Sequence, residues 1–292
     1  KLTPAGLALE TTIAIGYRAM YGAQATSGIS GNVAIGSSAG YTITSGGNNV
    51  FVGYHAAYNI TAGSKNTIVG RHAGNKIESG SSDTYIGYSA GYYATGSYNT
   101  FVGESAGKGG TTSAPFSSGT SNIAVGYQAL AGFTTGFGNV AVGNSSLDAV
   151  NSGNYNVALG SSAGGALTTA SNTIAIGYAT YDAATTAGYT IAIGGLTLSA
   201  YNHAENSYNV AIGYSVANLK TSGRFNTYIG GYKNAAADLT GEKNVWIGSY
   251  VNQYGTDTDS TTLVGYEAGR YATGSYNTFI GEQAGKGGTT SA

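Results

Sequence analysis

Two histidines occupy equivalent places in a repeated pattern, and they are the residues of this sequence best suited to bind a metal. His55 and His72 are 17 residues apart, and each follows a repeated glycine by two positions. If each segment of that length forms one coil of a stack, neighbouring coils lie about 4.8 Å apart and both imidazoles share one face. Imidazole is a common ligand of transition metals, so two rings placed in this way could share one ion. The pair is a candidate metal site; two surface histidines without a ligand are the alternative.

Other catalytic chemistries find little support among the acidic and histidine residues. Glycoside hydrolysis needs two carboxylates that converge on a sugar, but the 13 acidic residues are scattered. Glu104 and Glu282 are one position in two copies of a repeat, and we interpret Asp257 and Asp259 as solvated turn residues. Three His in 292 residues give little support for a Ser-His-Asp triad. We therefore expect neither an enzyme nor a cofactor.

Composition separates this chain from ordinary globular proteins. Of its 292 residues, 49 are Gly and 25 are Tyr, none is Cys, and 9% are charged, against about 25% in ordinary domains. The net charge of -1 does not provide the basic surface that nucleic acids and anionic membranes attract. No run of about 18 apolar residues occurs, so we expect no membrane insertion. A hydrophobic fraction of 41% argues against disorder.

A word of the form N-[VT]-x-[IV]-G recurs along the whole chain. Its glycines are Gly16, Gly36, Gly53, Gly70, Gly87, Gly103, Gly126, Gly143, Gly160, Gly177, Gly194, Gly213, Gly230, Gly248, Gly265 and Gly281, most often 17 residues apart. The residue before each glycine is aliphatic, and the residue three before it is Val, Ile or Thr. One short strand per unit cannot bury its apolar face alone, so neighbouring units must stack. The sequence predicts an all-β fold: a parallel β-solenoid of about sixteen coils of ~17 residues, one continuous repeat segment over 1–292.

Asparagine recurs four residues before the repeat glycine. It occupies Asn32, Asn49, Asn66, Asn99, Asn122, Asn139, Asn156, Asn209, Asn226, Asn244 and Asn277, and Asp83 stands at the same place in one copy. Asn and Gly favour the tight turns that a coil needs at its corners. Stacked coils would align these amides into a ladder, as in cross-β structures. We interpret the asparagines as structural.

The residue two before each repeat glycine is never charged and never an amide. These positions are Ala14, Ala34, Phe51, Ile68, Tyr85, Phe101, Ala124, Ala141, Ala158, Ala175, Ala192, Ala211, Tyr228, Trp246, Leu263 and Phe279. Alternate strand residues of a solenoid should face outward, and we interpret these as the outward face. Such a stripe is larger than a soluble monomer normally exposes. It predicts an oligomer seam along which copies of the chain pack, intertwined or side by side.

Residues 93–114 recur almost unchanged at 271–292, so a ten-coil super-repeat is laid over the shorter one. Neither end of the sequence shows the polar cap that terminates a solenoid. We expect the chain to be a segment of a longer fibre.

The repeat words themselves resemble those of known fibrous proteins. NTFVGESAG at 99–107, NTFIGEQAG at 277–285, NVAIGSSAG at 32–40 and IAVGYQAL at 123–130 resemble repeats in the shafts of phage tail fibres and related bacterial surface proteins. They are similar also to the head repeats of YadA-like trimeric autotransporter adhesins, although the coil here is longer. The resemblance implies a homotrimeric fibre, on a virion or a bacterial surface, that attaches to a host cell or another surface.

The expected partners are therefore other copies of the chain and, outside the cell, a cell-surface glycan or protein receptor. Tyr follows the repeat glycine at Tyr17, Tyr54, Tyr88, Tyr127, Tyr178, Tyr214 and Tyr266. These rings suit either corner packing or stacking on sugars. The irregular segments 21–31, 108–121 and 195–208 are further candidates for recognition. The alternative function is a monomeric solenoid whose flat apolar stripe binds ice or polysaccharide.

Overall fold

The computed structural model describes residues 11–23, 29–236 and 238–287, and over these residues it is all-β, with sixteen three-residue strands and no helix. The strands are β1 (Ile13–Ile15), β2 (Val33–Ile35), β3 (Val50–Val52), β4 (Thr67–Val69), β5 (Thr84–Ile86), β6 (Thr100–Val102), β7 (Ile123–Val125), β8 (Val140–Val142), β9 (Val157–Leu159), β10 (Ile174–Ile176), β11 (Ile191–Ile193), β12 (Val210–Ile212), β13 (Thr227–Ile229), β14 (Val245–Ile247), β15 (Thr262–Val264) and β16 (Thr278–Ile280). Each ends at the residue before a repeat glycine.

The chain forms two compact units, Lys1–Ser152 with β1–β8 and Gly153–Ala292 with β9–β16. Within each unit every strand pairs in parallel with the next strand along the chain, in strict register. Phe51 therefore lies beside Ile68. The predicted parallel β-solenoid is confirmed, and the homotrimer stays a prediction.

Each strand ends where the repeat glycine bends the chain into the next side of the coil. Gly53 has φ of 135°, a conformation that side-chain-bearing residues rarely adopt. A Cβ added there would also lie 2.6 Å from the carbonyl oxygen of Gly70 in the next coil. The backbones of adjacent coils thus approach too closely at this corner for any residue other than glycine.

The interior of each coil is filled by three columns of side chains. The first is the middle residue of the strand, such as Phe51, and the second is a small residue three after the repeat glycine, such as Ala56. The third, seven after the glycine, includes Ile43, Ile60 and Ile77. All of these side chains are fully buried. A coil of ~17 residues thereby encloses a narrow apolar core that only its neighbours complete.

The predicted outward position of the strand middles is wrong. The predicted seam residues from Ala34 to Leu263 are at most 1% exposed within the single chain; Phe279 is half-buried and Ala14 exposed. They line the core and cannot form a seam between chains. The prediction failed because both faces of these strands are apolar, so alternation gave no polar side to mark the outside. The inner face is the one whose residues vary in size, because it must fill an enclosed space.

In several coils the choice between alanine and a large residue in the strand is explained by packing across the coil. Glycine stands four residues after the repeat glycine in five of the eight coils whose strand middle is large. In one of them, a Cβ on Gly107 would lie 2.4 Å from the Phe101 ring. The reverse holds in four alanine coils, where Ala124, Ala141, Ala175 and Ala192 are matched by Leu130, Leu147, Tyr181 and Leu198, all buried. In these coils a large residue on one side of the core is offset by a small one on the other.

This complementarity predicts that a size swap is tolerated where single changes are not. Gly107→Leu should overpack the coil and cost about 1–3 kcal/mol, and Phe101→Ala should open a cavity costing about 3–5 kcal/mol. The double variant recreates the Ala124 and Leu130 arrangement, so it should lose clearly less than the sum. Equilibrium denaturation and a double-mutant cycle measure the coupling. Strictly additive losses would contradict the packing account.

Candidate functional site

The outward face of the strands carries only Val, Ile, Leu and Thr. The two outward residues of each strand are its first and third, from Ile13 and Ile15 in β1 to Thr278 and Ile280 in β16. Many are substantially exposed, for example Ile86 at 40% and Ile247 at 38%. Neither charge nor amide interrupts this surface in either unit. We call it the outer strand face. Both faces of the strands are apolar in the sequence, and the predicted seam used the strand middles, which form the inner face.

Aromatic residues flank the outer strand face along the chain. Two residues before several strands stand exposed rings, including Tyr189, Tyr208 and Phe225. Tyr189 and Tyr208 have ring centroids 5.2 Å apart, and Tyr208 and Phe225 have centroids 5.4 Å apart, all stacked. These three residues have φ between 50° and 62°, a left-handed backbone conformation that is energetically unfavourable for bulky residues. Stacking contributes stability along the column and leaves mainly the ring edges to solvent.

The seven tyrosines that follow repeat glycines are all exposed, from Tyr127 and Tyr54 at about 46% to Tyr17 at 68%. Tyrosine combines an apolar ring with a polar hydroxyl, which suits contacts that are apolar on one side and wet on the other. They therefore remain candidates for contact with a partner or a sugar.

The asparagine ladder is present inside the coils. Asn49 illustrates the pattern: its Oδ1 accepts a hydrogen bond from the backbone N–H of Asn66 at 2.9 Å, and its Nδ2 donates to the carbonyl of Gly63 at 2.9 Å. The same bonds recur in both units. Amide-to-amide bonds occur too, as from Asn49 to Asn32 at 2.9 Å, but most rungs bond to the backbone of the next coil. The ladder satisfies buried backbone groups at the corner.

Removing one rung should therefore cost more than a single hydrogen bond. Asn49→Ala leaves the N–H of Asn66 and the carbonyl of Gly63 buried without their side-chain partner, at about 1–3 kcal/mol each. Asn59→Ala, at a half-buried position outside the ladder, should change stability by about 0.5 kcal/mol or less. Urea denaturation compares the two. Equal losses would show that the ladder adds nothing.

The structure also reveals a buried ion pair that the sequence did not suggest. Lys220 Nζ lies 2.9 Å from Asp238 Oδ2, and neither side chain is exposed. Lys220 also donates to the carbonyl of Gly241 at 2.8 Å, and the hydroxyl of Tyr228 donates to Asp238. Burial lowers the pKa of Lys220, and the charge of Asp238 opposes that shift. Both residues stand in the third core column, which is apolar in most coils.

The histidine pair lies on one surface, as the repeat predicts. The ring centroids of His55 and His72 are 5.4 Å apart at 81°, and Tyr54 stacks on His55 at 3.9 Å. Burial lowers the pKa of both imidazoles, with Arg71 contributing to each and His55 also acting on His72. No group of three or more metal-binding His, Cys, Asp or Glu occurs within the described part of the chain. Metal binding here stays a prediction.

Metal analysis of the purified protein tests that prediction directly. A site at this pair predicts that a first-row transition metal co-purifies or binds with the wild type and is lost in His55→Ala, since one imidazole is too few ligands. Wild-type protein without metal after equilibration would dismiss the site.

The remaining candidate positions are placed as follows. Asp257 accepts hydrogen bonds from the backbone N–H groups of Leu239 and Thr240, and Asp259 accepts one from Glu242, so both brace turns of a neighbouring coil. Residues 24–28 of the segment 21–31 lie outside the described residues. In 108–121, Ser117 pairs with Ala94, and in 195–208, Tyr201 is buried and donates to the Gly223 carbonyl at 2.8 Å. Recognition by these segments stays a prediction.

The fold and its faces define a parallel β-solenoid repeat protein. Comparison with known proteins found no matching family model, no matching curated protein and no matching solved structure. No helix within the described residues is long and apolar enough to cross a membrane.

Proposed function

We propose that this chain is a structural segment of an extracellular attachment fibre, and that it self-associates as a homotrimer through the outer strand face. The single observation that supports this most strongly is the chemistry of that face, which is apolar or Thr in every strand of both units. Interface centres are depleted of charged residues, and interfaces are enriched in aromatic residues. The outer strand face carries no charge, and exposed aromatic rings flank it.

The area of the face can be derived from the strand geometry. Three residues of strand and a strand spacing of about 4.8 Å give roughly 50 Å² per strand, or about 400 Å² in each eight-stranded unit. Each unit by itself therefore offers about half of the ~800 Å² that each partner contributes to a standard interface. Symmetry allows every copy to use the same face.

The number of copies and the biological setting rest on the resemblance of the repeat words to tail-fibre shafts and trimeric adhesin heads. A trimer packs three flat faces around one axis and leaves the turns and their tyrosines on the outside. These outer features would contact a cell-surface glycan or protein receptor. The proposed location is a virion tail fibre or a bacterial surface, and the proposed role involves no catalysis.

One charge on the outer strand face should prevent assembly without unfolding the coil. Ile247→Asp alters a residue that is 38% exposed in the single chain, so the fold should survive while the interface gains an unpaired buried charge. Leu219→Asp, at a 54% exposed position outside the strands, is the matched control. Sedimentation velocity should show trimeric wild type and Leu219→Asp, and monomeric Ile247→Asp. A monomeric wild type would refute the proposal.

A second function is favoured by one feature of the same face. The first residues of β4, β5 and β6 are Thr67, Thr84 and Thr100, which align in register on a flat surface. Such a regular array suits a monomer that binds ice or crystalline polysaccharide. Thermal hysteresis or co-sedimentation with an insoluble polysaccharide by monomeric protein, abolished by Thr84→Asp, would favour this function over the trimer.

A further inference from the structure

The fifth coil carries an acid where its neighbours in the ladder carry asparagine. Asp83 is 1% exposed. Its backbone N–H donates to Asn66 Oδ1 at 2.9 Å, and its Oδ1 accepts a hydrogen bond from the backbone N–H of Asn99 at 2.8 Å. On this side the carboxyl performs the same task as an amide.

The other carboxyl oxygen lies where the ladder requires a donor. In the preceding coil Asn66 Nδ2 donates to the carbonyl of Gly80 at 2.8 Å, and the equivalent carbonyl for Asp83 is that of Gly96. A Cβ placed on Gly80 would lie 2.8 Å from Asp83 Oδ2 and 2.9 Å from the Gly96 oxygen, so both oxygens converge on one small space. Oδ2 is buried and has no hydrogen-bond partner. An ionised carboxylate can only accept, as can the carbonyl.

Among the described residues, no cation acts on Asp83. The ionisable side chain that does act on it is Tyr85, whose buried hydroxyl lies close enough to the carboxyl to oppose the rise of its pKa. Lys65, Glu78 and Tyr98, on the same and adjoining coils, are exposed. Burial raises the pKa of Asp83 to about 7, although hydrogen bonding with Asn99 and Tyr85 opposes the shift. The buried Asp238, by contrast, is paired with a lysine.

We infer that Asp83 is a proton-dependent rung of the ladder, whose protonated Oδ2 donates a hydrogen bond to the Gly96 carbonyl. Loss of the proton removes this bond and leaves two buried acceptors facing each other. The inference concerns stability of the single coil stack, so it stands apart from the proposed trimer.

The direction of the pH effect follows from linkage. The pKa of Asp83 in the folded chain, about 7, lies above its ordinary value of 3.8. The folded form therefore binds the proton more tightly than the unfolded form. The resulting stability is fully present below about pH 4 and is lost as the pH rises through about 7.

Thermal unfolding of the full chain between about pH 5 and 8.5 tests the inference, because this range spans the pKa of about 7. The wild-type Tm should fall by a few degrees as the pH rises. Asp83→Asn replaces the proton-dependent donor with a permanent one, so it should abolish this fall and be the more stable protein at the upper pH. Asn122→Asp creates a second acidic rung, because Asn122 Nδ2 donates to the Gly136 carbonyl in the same way. It should add a further fall of the same sign.

A direct titration makes the outcome independent of how each variant folds. The ¹³Cγ resonance of Asp83, assigned by its absence in Asp83→Asn, should titrate with a midpoint near 7 in the wild type. A midpoint near 4, or an Asp83→Asn protein whose Tm follows the wild-type pH dependence, would overturn the inference. Neither result would bear on the trimer, which sedimentation tests separately.

Discussion

Each coil of this protein satisfies its buried backbone groups through the coil beside it. The three-residue strands pair with the strands directly before and after them, and the corner amides repeat the arrangement with side chains, as Asn49 does for the backbone of Asn66 and Gly63. This constraint sets the positions of the glycines, because adjacent backbones must come very close at the corners. It also sets the narrow core, which no coil can close alone. Stability in such a stack is a sum of nearest-neighbour terms.

Much of this architecture could be predicted from the sequence because the constraint is periodic. The repeat word located all sixteen strands, the glycine corners and the asparagine ladder. The direction of the strand faces could not be predicted, because Val, Ile and Thr outside and Ala, Phe and Tyr inside are all compatible with burial. A partial signal lies in the size of two core positions: in several coils a large strand middle accompanies glycine four residues after the repeat glycine, as Phe101 accompanies Gly107. Only an enclosed space demands such compensation.

The buried ion pair was missed for a different reason. Lys220 stands seven residues after Gly213, in a core column, but Asp238 stands eight after Gly230 because that coil is one residue longer. The insertion hides the equivalence of the two positions in the sequence. Asp83 was recognised as a ladder position, yet its unpaired oxygen became apparent only from the convergence of two acceptors on Gly80. Charges in a repeat interior thus depend on local contacts that periodicity does not encode.

The inside and outside of the strands follow opposite rules. Inside, residue size varies while polarity is nearly constant, because each coil must be filled. Outside, both size and polarity are uniform, so that every strand of both units presents the same branched aliphatic or Thr surface. Packing within one coil does not require this uniformity, because the outer strand face does not fill the core. A uniform apolar surface is suited to a flat contact with another surface.

A chain of similar coils can misfold by a register shift, in which one coil skips its natural neighbour and stacks on the coil after it. Most of the core would tolerate this exchange, since aliphatic residues replace one another with little loss. The buried pair of Lys220 and Asp238 would not. A shift by a single coil would separate the two charges and leave each surrounded by apolar side chains, at a cost of about 3–5 kcal/mol. One ion pair in a mostly apolar column therefore penalises the pairing of the wrong coils, a penalty that the aliphatic rungs do not supply.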